Sequence, residues 1–326
     1  MTYDIDGHVR RVKTAVKSNG AARSQVVASW RRCIFGYGLD PSTRAPRRIL
    51  SAVELRESSQ RLEPLLFAAG ATLERLQVAL SRMSCCALVA GVDGVPVRWC
   101  GKNADAEHLR RFGLWPGVDW SESNEGTNGV GTCLVEKREL TIHRTDHFLA
   151  RNTELSCTVA PIFDHRGELA AALDITYYGN VASEELIGLL AFAAREAASQ
   201  IERANFLAVF CDARIIYVPD RARTSVGLIA VDNDDIVLGA TRTARLLLGI
   251  TESGLRSGVP AMDLQKQESF SDDTMARAER GTLRRALART SGNVSASARA
   301  LDISRATMKR KLKQFNLRRR AETPPN

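Results

Sequence analysis

No stretch of this 326-residue sequence approaches the ~20 consecutive uncharged apolar residues that a membrane-spanning helix needs. The opening residues, MTYDIDGHVRRVKTAVKSNG, hold no apolar core of signal-peptide length. Both absences predict a cytoplasmic chain with no membrane partner. There is no C-x-x-C pair either: Cys33, Cys85, Cys86, Cys100, Cys133, Cys157 and Cys211 are odd in number and scattered. That speaks against a zinc site and a disulfide framework and for a reducing compartment, with the thiols serving as small buried hydrophobes. The motif G-x-x-x-x-G-K-[ST] is missing, and with it the loop that cradles nucleotide phosphates. Asp164 and Asp174 fall on a turn and a strand without a carboxylate partner at acid-base spacing, and no Ser-His-Asp arrangement is indicated. His143 and His147 are four apart but flank a strand end rather than sharing a helix face, and no third ligand is evident. The sequence therefore predicts no catalytic residue, no metal and no cofactor.

What is present is a concentration of charge. The net charge is +9, yet residues 277–320 hold 14 Lys or Arg against 2 acidic residues, or +12, leaving 9 − 12 = −3 for everything else. A local field of that sign attracts polyanions, of which nucleic acid is the commonest inside cells; a solvated basic helix or a membrane-surface segment has the same charge count.

The length suggests two or three domains, in an α+β multidomain arrangement. We divide the chain into an N-terminal helical segment (1–80), a sensor with an antiparallel sheet and flanking helices (81–205), a small α/β block (206–264), a linker (265–276) and an all-α unit (277–320). Residues 1–21 are polar, show no period and are expected to fray. Val26, Val27, Trp30, Cys33 and Ile34 recur at helical spacing over residues 24–35. A capping box at Ser51 and Glu54 opens a longer helix. Its Leu62, Leu66, Ala69, Leu73, Leu76 and Leu80 form a heptad-type seam, which wants a partner helix either in this chain or in a second copy. Pro64 inside it predicts a kink or a restart. Two hairpins follow, around Asp93-Gly94 and residues 164–167, separated by a long excursion over 101–155 of the kind that holds binding sites. Ser183 then caps a helix with Leu186, Leu190, Ala193, Ala197, Ile201 and Ala204 on one face. Residues 226–249 read as strand, acidic turn, strand and short helix.

In the basic tail Leu283, Ala286 and Leu287 line one helix, Gly292-Asn293 breaks it, and Ala298 and Leu301 line a second. After Ile303, Ser304 caps a third helix with Met308, Leu312 and Phe315 as its apolar stripe: a helix-turn-helix in sequence form. Arg305, Thr307, Lys309, Arg310, Lys311 and Lys313 occupy the other sides of that third helix, where Arg and Lys suit guanine edges and the helix N-terminus at Ser304 suits a phosphate.

This tail resembles the Fis-type helix-turn-helix, through Gly292-Asn293, the small-residue helix at 296–301, Ile-Ser-Arg-x-Thr at 303–307 and the basic run at 309–313. The resemblance implies phosphate contacts from Asn293 and Ser295, and base contacts from Ser304, Arg305, Thr307 and Arg310. Asp302 departs from it, standing where the family usually has Gly, and should strain the turn slightly. SWRRCIFGYGLDP (29–41), WSESNEGTNGVGT (120–132), Asp146-His147-Phe148 and APIFDHRGELAAALDIT (160–176) together resemble the GAF sensor of acetoin-catabolism-type regulators. Residues 226–249 are similar to a truncated PAS domain. Members of that family that drive the alternative sigma factor carry an ATPase between sensor and helix-turn-helix; only a short polar segment stands there in this chain, so no ATP-driven step is expected.

These readings imply a ligand-responsive, sequence-specific DNA-binding transcriptional regulator on the bacterial nucleoid. Its expected partners are double-stranded DNA, an unknown small-molecule effector, a second copy of itself and RNA polymerase. Trp120, Glu125, Thr127 and Asn128 are candidates to line or lid the effector pocket, although Gly126, Gly129 and Gly131 also read as a tight turn opening a helix at 130–136. Candidate dimer surfaces are the Leu62 to Leu80 seam, the helix after Ser183 and the helix before Gly292. Two other readings stay open: a GAF-type cysteine redox enzyme of the methionine sulfoxide reductase kind, using Cys85, Cys86, Cys100, Cys133 or Cys157, and a sequence-blind nucleoid-packaging protein.

Overall fold

The computed structural model describes residues 4–18, 24–179, 182–220, 226–264, 274–290, 292–315 and 317. The chain divides into two compact units, Met1–Ala261 and Met262–Asn326.

The expected frayed start is corrected: α1 (Ile5–Lys17) is a helix capped by Asp4, with His8, Val12 and Val16 buried. Those residues recur every fourth position, a stripe too narrow to register against an otherwise polar sequence. α2 (Gln25–Arg31), capped by Ser24, continues into a π-helical turn over Arg32–Gly36. Val12, Val16, Trp30 and Cys33 then pack with Phe148 and Leu149 of the long excursion. α3 (Ala52–Leu80) opens on the Ser51–Glu54 capping box and runs through Pro64 as one helix, so the proline causes no restart.

β1 (Cys85–Gly91) and β2 (Pro96–Gly101) form the first hairpin. The excursion contributes α4 (Ala106–Arg111), α5 (Glu122–Glu125), α6 (Gly129–Glu136) and β3 (Leu140–His143). β4 (Ser156–Phe163) and β5 (Leu169–Tyr177) form the second hairpin. The five strands lie in the order β2-β1-β5-β4-β3, every pairing antiparallel. Gly94 and Gly167, at φ 81° and 76°, take the left-handed positions that turn the two hairpins and that glycine adopts without strain.

Both faces of the sheet are covered. Ala87, Val89, Leu173 and Ile175 face α3 and α7 (Glu184–Val209), while Cys86, Leu88, Ala90 and Ala172 face the excursion with Trp120, Val130 and Cys133. Alternate residues of a strand point to opposite faces, which is why β1 is buried at every position rather than at every second one. The Leu62 to Leu80 seam finds its partner inside this chain, in α7 and the sheet.

α7 runs past residue 205 to Val209, so the boundary read from sequence falls inside a helix. Its end feeds the small block, where Phe206 packs against Leu228 and Ala230. That block is a sheet of β6 (Arg214–Pro219), β7 (Val226–Val231) and β8 (Val237–Ala240), followed by α8 (Arg242–Leu248), α9 (Glu252–Ser257) and α10 (Ala261–Leu264).

The second unit holds α11 (Thr274–Arg289), α12 (Val294–Ala300) and α13 (Arg305–Gln314). α11 starts at Thr274, three residues ahead of the boundary read from sequence; most of the expected linker, 265–273, and the arginines at 318–320 lie outside the described residues. Leu283, Ala298 and Met308 form its core, with Leu287, Leu301, Ile303, Leu312 and Phe315 packed around them. Among the described residues no helix is long and apolar enough to cross a membrane.

Candidate functional site

The apolar stripe of α13 turns inward and fixes what turns outward. Met308 is fully buried, so Arg305, Lys309, Arg310 and Lys313, off that stripe, are exposed. Ser304 Oγ accepts from Thr307 N–H at 3.0 Å and caps the helix, leaving other first-turn amides directed off its end. Asn293 caps α12 in the same way, its Oδ1 accepting from Ser295 and Ala296 N–H at 3.1 Å each. Asp302 joins the two helices at φ 51°, in the left-handed region where the family's glycine costs less strain. Lys311 differs from its neighbours: it is 27% exposed and its ammonium pairs with Glu279 of α11.

In the sensor, Trp120, Glu125, Thr127 and Asn128 are all at most 2% exposed. Asn128 caps α6, accepting from Gly131 N–H at 2.8 Å, and its Nδ2 donates to Trp120 O at 2.9 Å and Gly126 O at 2.8 Å. Trp120 Nε1 donates to Gly113 O at 2.7 Å. The glycines are demanded by closeness: a Cβ on Gly131 would lie 2.4 Å from Glu122 N, and Gly126 turns at φ 65°.

The four side chains are brought into one segment, but two of them look toward different partners. Glu125 accepts from Arg151 and from Asn152 Nδ2 at 3.1 Å, and Arg47 Nε stands 3.6 Å away. Thr127 Oγ1 lies 2.6 Å from Ser29 Oγ. Glu122, 2% exposed, gathers Ser29, Thr132 and the guanidinium of Arg32, which also reaches Glu136 at 3.1 Å. The hydrogen bond to Glu122 pushes the Arg32 pKa further up, so its charge is permanent. This network carries the N-terminal segment on the excursion. Sequence reading missed Glu122, Arg32, Arg47, Arg151 and Asn152; Ser29 and Arg32 lay inside the motif at 29–41, three apart on one helical face, which was the available signal.

Under α6 the sheet holds a second polar group. Asp174 is 1% exposed; Thr176 Oγ1 donates to its Oδ2 at 2.6 Å, while Oδ1 has no partner among the described residues. Burial pushes this carboxyl up to about 7. Cys157 beside it lies 3.5 Å from His147 Nε2, and burial holds His147 down at about 4, hence neutral. His143 bonds Ser156 Oγ at 2.9 Å. No group of three or more His, Cys, Asp or Glu among the described residues is placed to hold a metal ion. Cys33 and the five sensor cysteines are buried, and burial raises every one of their pKa values, Cys33 to about 11 and Cys85 and Cys133 to about 12. Redox chemistry needs thiolates, so the cysteine-enzyme reading is not favoured.

A five-stranded antiparallel sheet with helices on both faces and a basic trihelical unit define the class. Residues 66–201 match the GAF domain, and residues 274–315 match the bacterial regulatory protein, Fis family. The chain is thus a GAF-domain protein with a Fis-family helix-turn-helix. It is 35% identical over 239 residues to the acetoin catabolism regulatory protein of Cupriavidus necator, covering 72% of this chain. It is 26% identical over 245 residues, 74% of this chain, to the acetoin dehydrogenase operon transcriptional activator AcoR of Bacillus subtilis. This chain spans only 36% and 40% of those two proteins' lengths. Among solved structures, the E. coli DhaR(N)-DhaL complex contains a chain of similar fold, with a TM-score of 0.50 and 15% identity, covering 73% of this chain and 80% of that one.

Proposed function

We propose that this protein is a sequence-specific DNA-binding transcriptional regulator, working as a homodimer, in which a small-molecule effector held by the GAF domain controls the helix-turn-helix and, through it, access of RNA polymerase. The observation that carries the reading is the single surface of α13, where Arg305, Lys309, Arg310 and Lys313 stand exposed around a capped helix start. Asn293, Ser295 and Ser304 bind phosphates and orient the unit; Arg305, Thr307 and Arg310 read base edges, and Lys309 and Lys313 add charge. Lys311, already paired with Glu279, contributes least. We assign this chain no P-loop ATPase step, because its sequence contains no phosphate-cradling loop of the G-x-x-x-x-G-K-[ST] type.

Trp120, Glu125, Thr127 and Asn128 act as the lid of the effector site, the segment over α5 and α6 moving as the effector enters. Beneath it Asp174 Oδ1 offers an unpartnered anchor for a hydroxyl-bearing molecule. Acetoin, which gives two similar proteins their names, is the first probe.

The test is selection of duplexes from a genomic library by the full chain at physiological salt. A preferred site bound at least ~10³-fold more tightly than competitor DNA supports the reading; equal binding to all duplexes returns the chain to sequence-blind packaging. Calorimetry with acetoin on the Trp120→Ala and Asn128→Ala variants tests the lid, and binding identical to the parent removes it.

A further inference from the structure

The protons of the polar row under α6 can be placed one by one. In register, Thr176 stands between Cys86 of β1 and Cys157 of β4, and Asp174 between Leu88 and Val159. His147 Nδ1 lies 2.9 Å from Arg144 O, an atom that can only accept, so the neutral imidazole holds its proton on Nδ1. Its Nε2 is then an acceptor, and the Cys157 thiol, 3.5 Å away, donates to it. Thr176 Oγ1 reaches both Asp174 Oδ2 at 2.6 Å and Cys157 Sγ at 3.2 Å, and commits its one proton to the oxygen, the stronger acceptor. Oδ2 is therefore the accepting oxygen of the carboxyl, and the acid proton belongs on Oδ1, which has no partner among the described residues. The titratable groups around it from β1, β4, α6 and the excursion are Cys86, Cys157, Cys133 and His147. All four are neutral at pH 7, because burial pushes each thiol up and the imidazole down. Burial likewise holds Asp174 up at about 7, with no cation paired to it.

We propose that Asp174 meets the effector as a hydrogen-bond donor, its Oδ1–H aimed at the carbonyl oxygen of a small uncharged ketone, so that only the protonated site binds. This rests on the effector-site reading above and names which oxygen of the molecule the site takes. A hydroxyl accepting from Oδ1–H would bring a proton of its own, and the acceptors nearest to hand, Oδ2 and His147 Nε2, are already engaged. A ketone oxygen brings none. A carboxylate-bearing molecule would meet no cation there, and burying it unpaired is costly. The start of α6 lies directly over this oxygen, since a Cβ on Gly129 would come within 3.4 Å of Oδ1. A molecule that reaches Oδ1 therefore displaces that turn. Thr132 in the same turn donates to Glu122 at 2.9 Å, which carries the displacement to the network holding Ser29 and Arg32.

Titration calorimetry of the full chain with three probes on one carbon skeleton decides it. Acetoin and butanone, each with a ketone oxygen, should bind at pH 6; the diol that replaces acetoin's ketone by a second hydroxyl should bind about tenfold more weakly or worse. Acetoin binding should weaken about tenfold from pH 6 to pH 8, as the protonated fraction of Asp174 falls from about 0.9 to about 0.1. Asp174→Asn, whose amide donates at every pH, should bind acetoin without that slope. An infrared band of a protonated carboxyl, present in the parent protein, absent from the variant and shifted by acetoin, gives a reading that does not depend on how well the variant folds. Equal binding of the diol and acetoin, or acetoin binding that is flat with pH in the parent protein, overturns this inference and leaves the effector site standing. Failure of all three probes to bind removes the effector reading and this inference with it.

Discussion

In the GAF domain the charged side chains around Glu122 and Glu125 point inward and are matched, whereas on α13 Arg305, Lys309, Arg310 and Lys313 point outward with no carboxylate partner among the described residues. The first arrangement uses charge to hold one segment on another; removing water from those groups is tolerable only because each meets an opposite charge. The second leaves charge hydrated and available to a polyanion, whose counterions it releases on contact. Lys311 marks the boundary between the two behaviours: it sits within the basic run, yet bonds Glu279 as a structural residue would.

The largest effect should come from the inward set. Glu122→Ala removes the main acceptor of Arg32 and should lower stability by about 3 kcal/mol, toward the low end for a broken buried pair because Arg32 keeps Glu136 and some solvent. Urea unfolding reads it; a loss below about 0.5 kcal/mol would make that network behave like an exposed one. Next is Asp174. Its folded pKa is raised to about 7 from 3.8, so the stability present below pH 4 is lost as pH climbs through 7. Asp174→Asn should abolish that slope and be more stable than the parent protein by on the order of 2 kcal/mol at pH 8, with the advantage shrinking toward pH 4. Parallel pH profiles for the two proteins would refute the burial argument.

The outward set should show smaller effects, and on binding rather than folding. Arg305→Ala should cost about 1–3 kcal/mol of discrimination between a selected operator and a single-base variant while leaving Tm unchanged. Lys313→Ala should weaken binding to all duplexes alike and reduce the salt slope by about 1. Smallest of all, Lys311→Ala should barely alter the salt slope and should register instead as a slight loss of stability; a full unit of slope would place it with the outward set after all.

The helix-turn-helix was legible because its signals are local. Ser304 and Asn293 cap the next turn of chain, and Met308, Leu312 and Phe315 follow one another at helical spacing, so each element declares itself within about ten residues. The hairpins around Gly94 and Gly167 were legible for the same reason. The buried cluster was not, because its members come from afar: Ser29 and Arg32 reach Glu122 across some ninety residues, and Arg47 reaches Asn152 across more than a hundred. No periodicity encodes such pairings. α1 escaped notice because three buried side chains in thirteen residues are too few to outweigh its polar majority. Asp174 is the one charged residue of a mostly apolar strand, a visible oddity in the sequence, but only the sheet's second covering layer turns that oddity into a buried acid.

α7 belongs to two cores at once, with Leu190 to Ile201 in the GAF domain and Phe206 in the small block. A helix of 26 residues is about 39 Å long and stiff. Pivoting it by about 5° at its middle would swing each tip by roughly 1.7 Å, more than a C–C bond length, so a displacement at one end would be felt as repacking at the other. The helix is a stiff rod shared by two cores, so a shift of Leu190 is also a shift of Phe206.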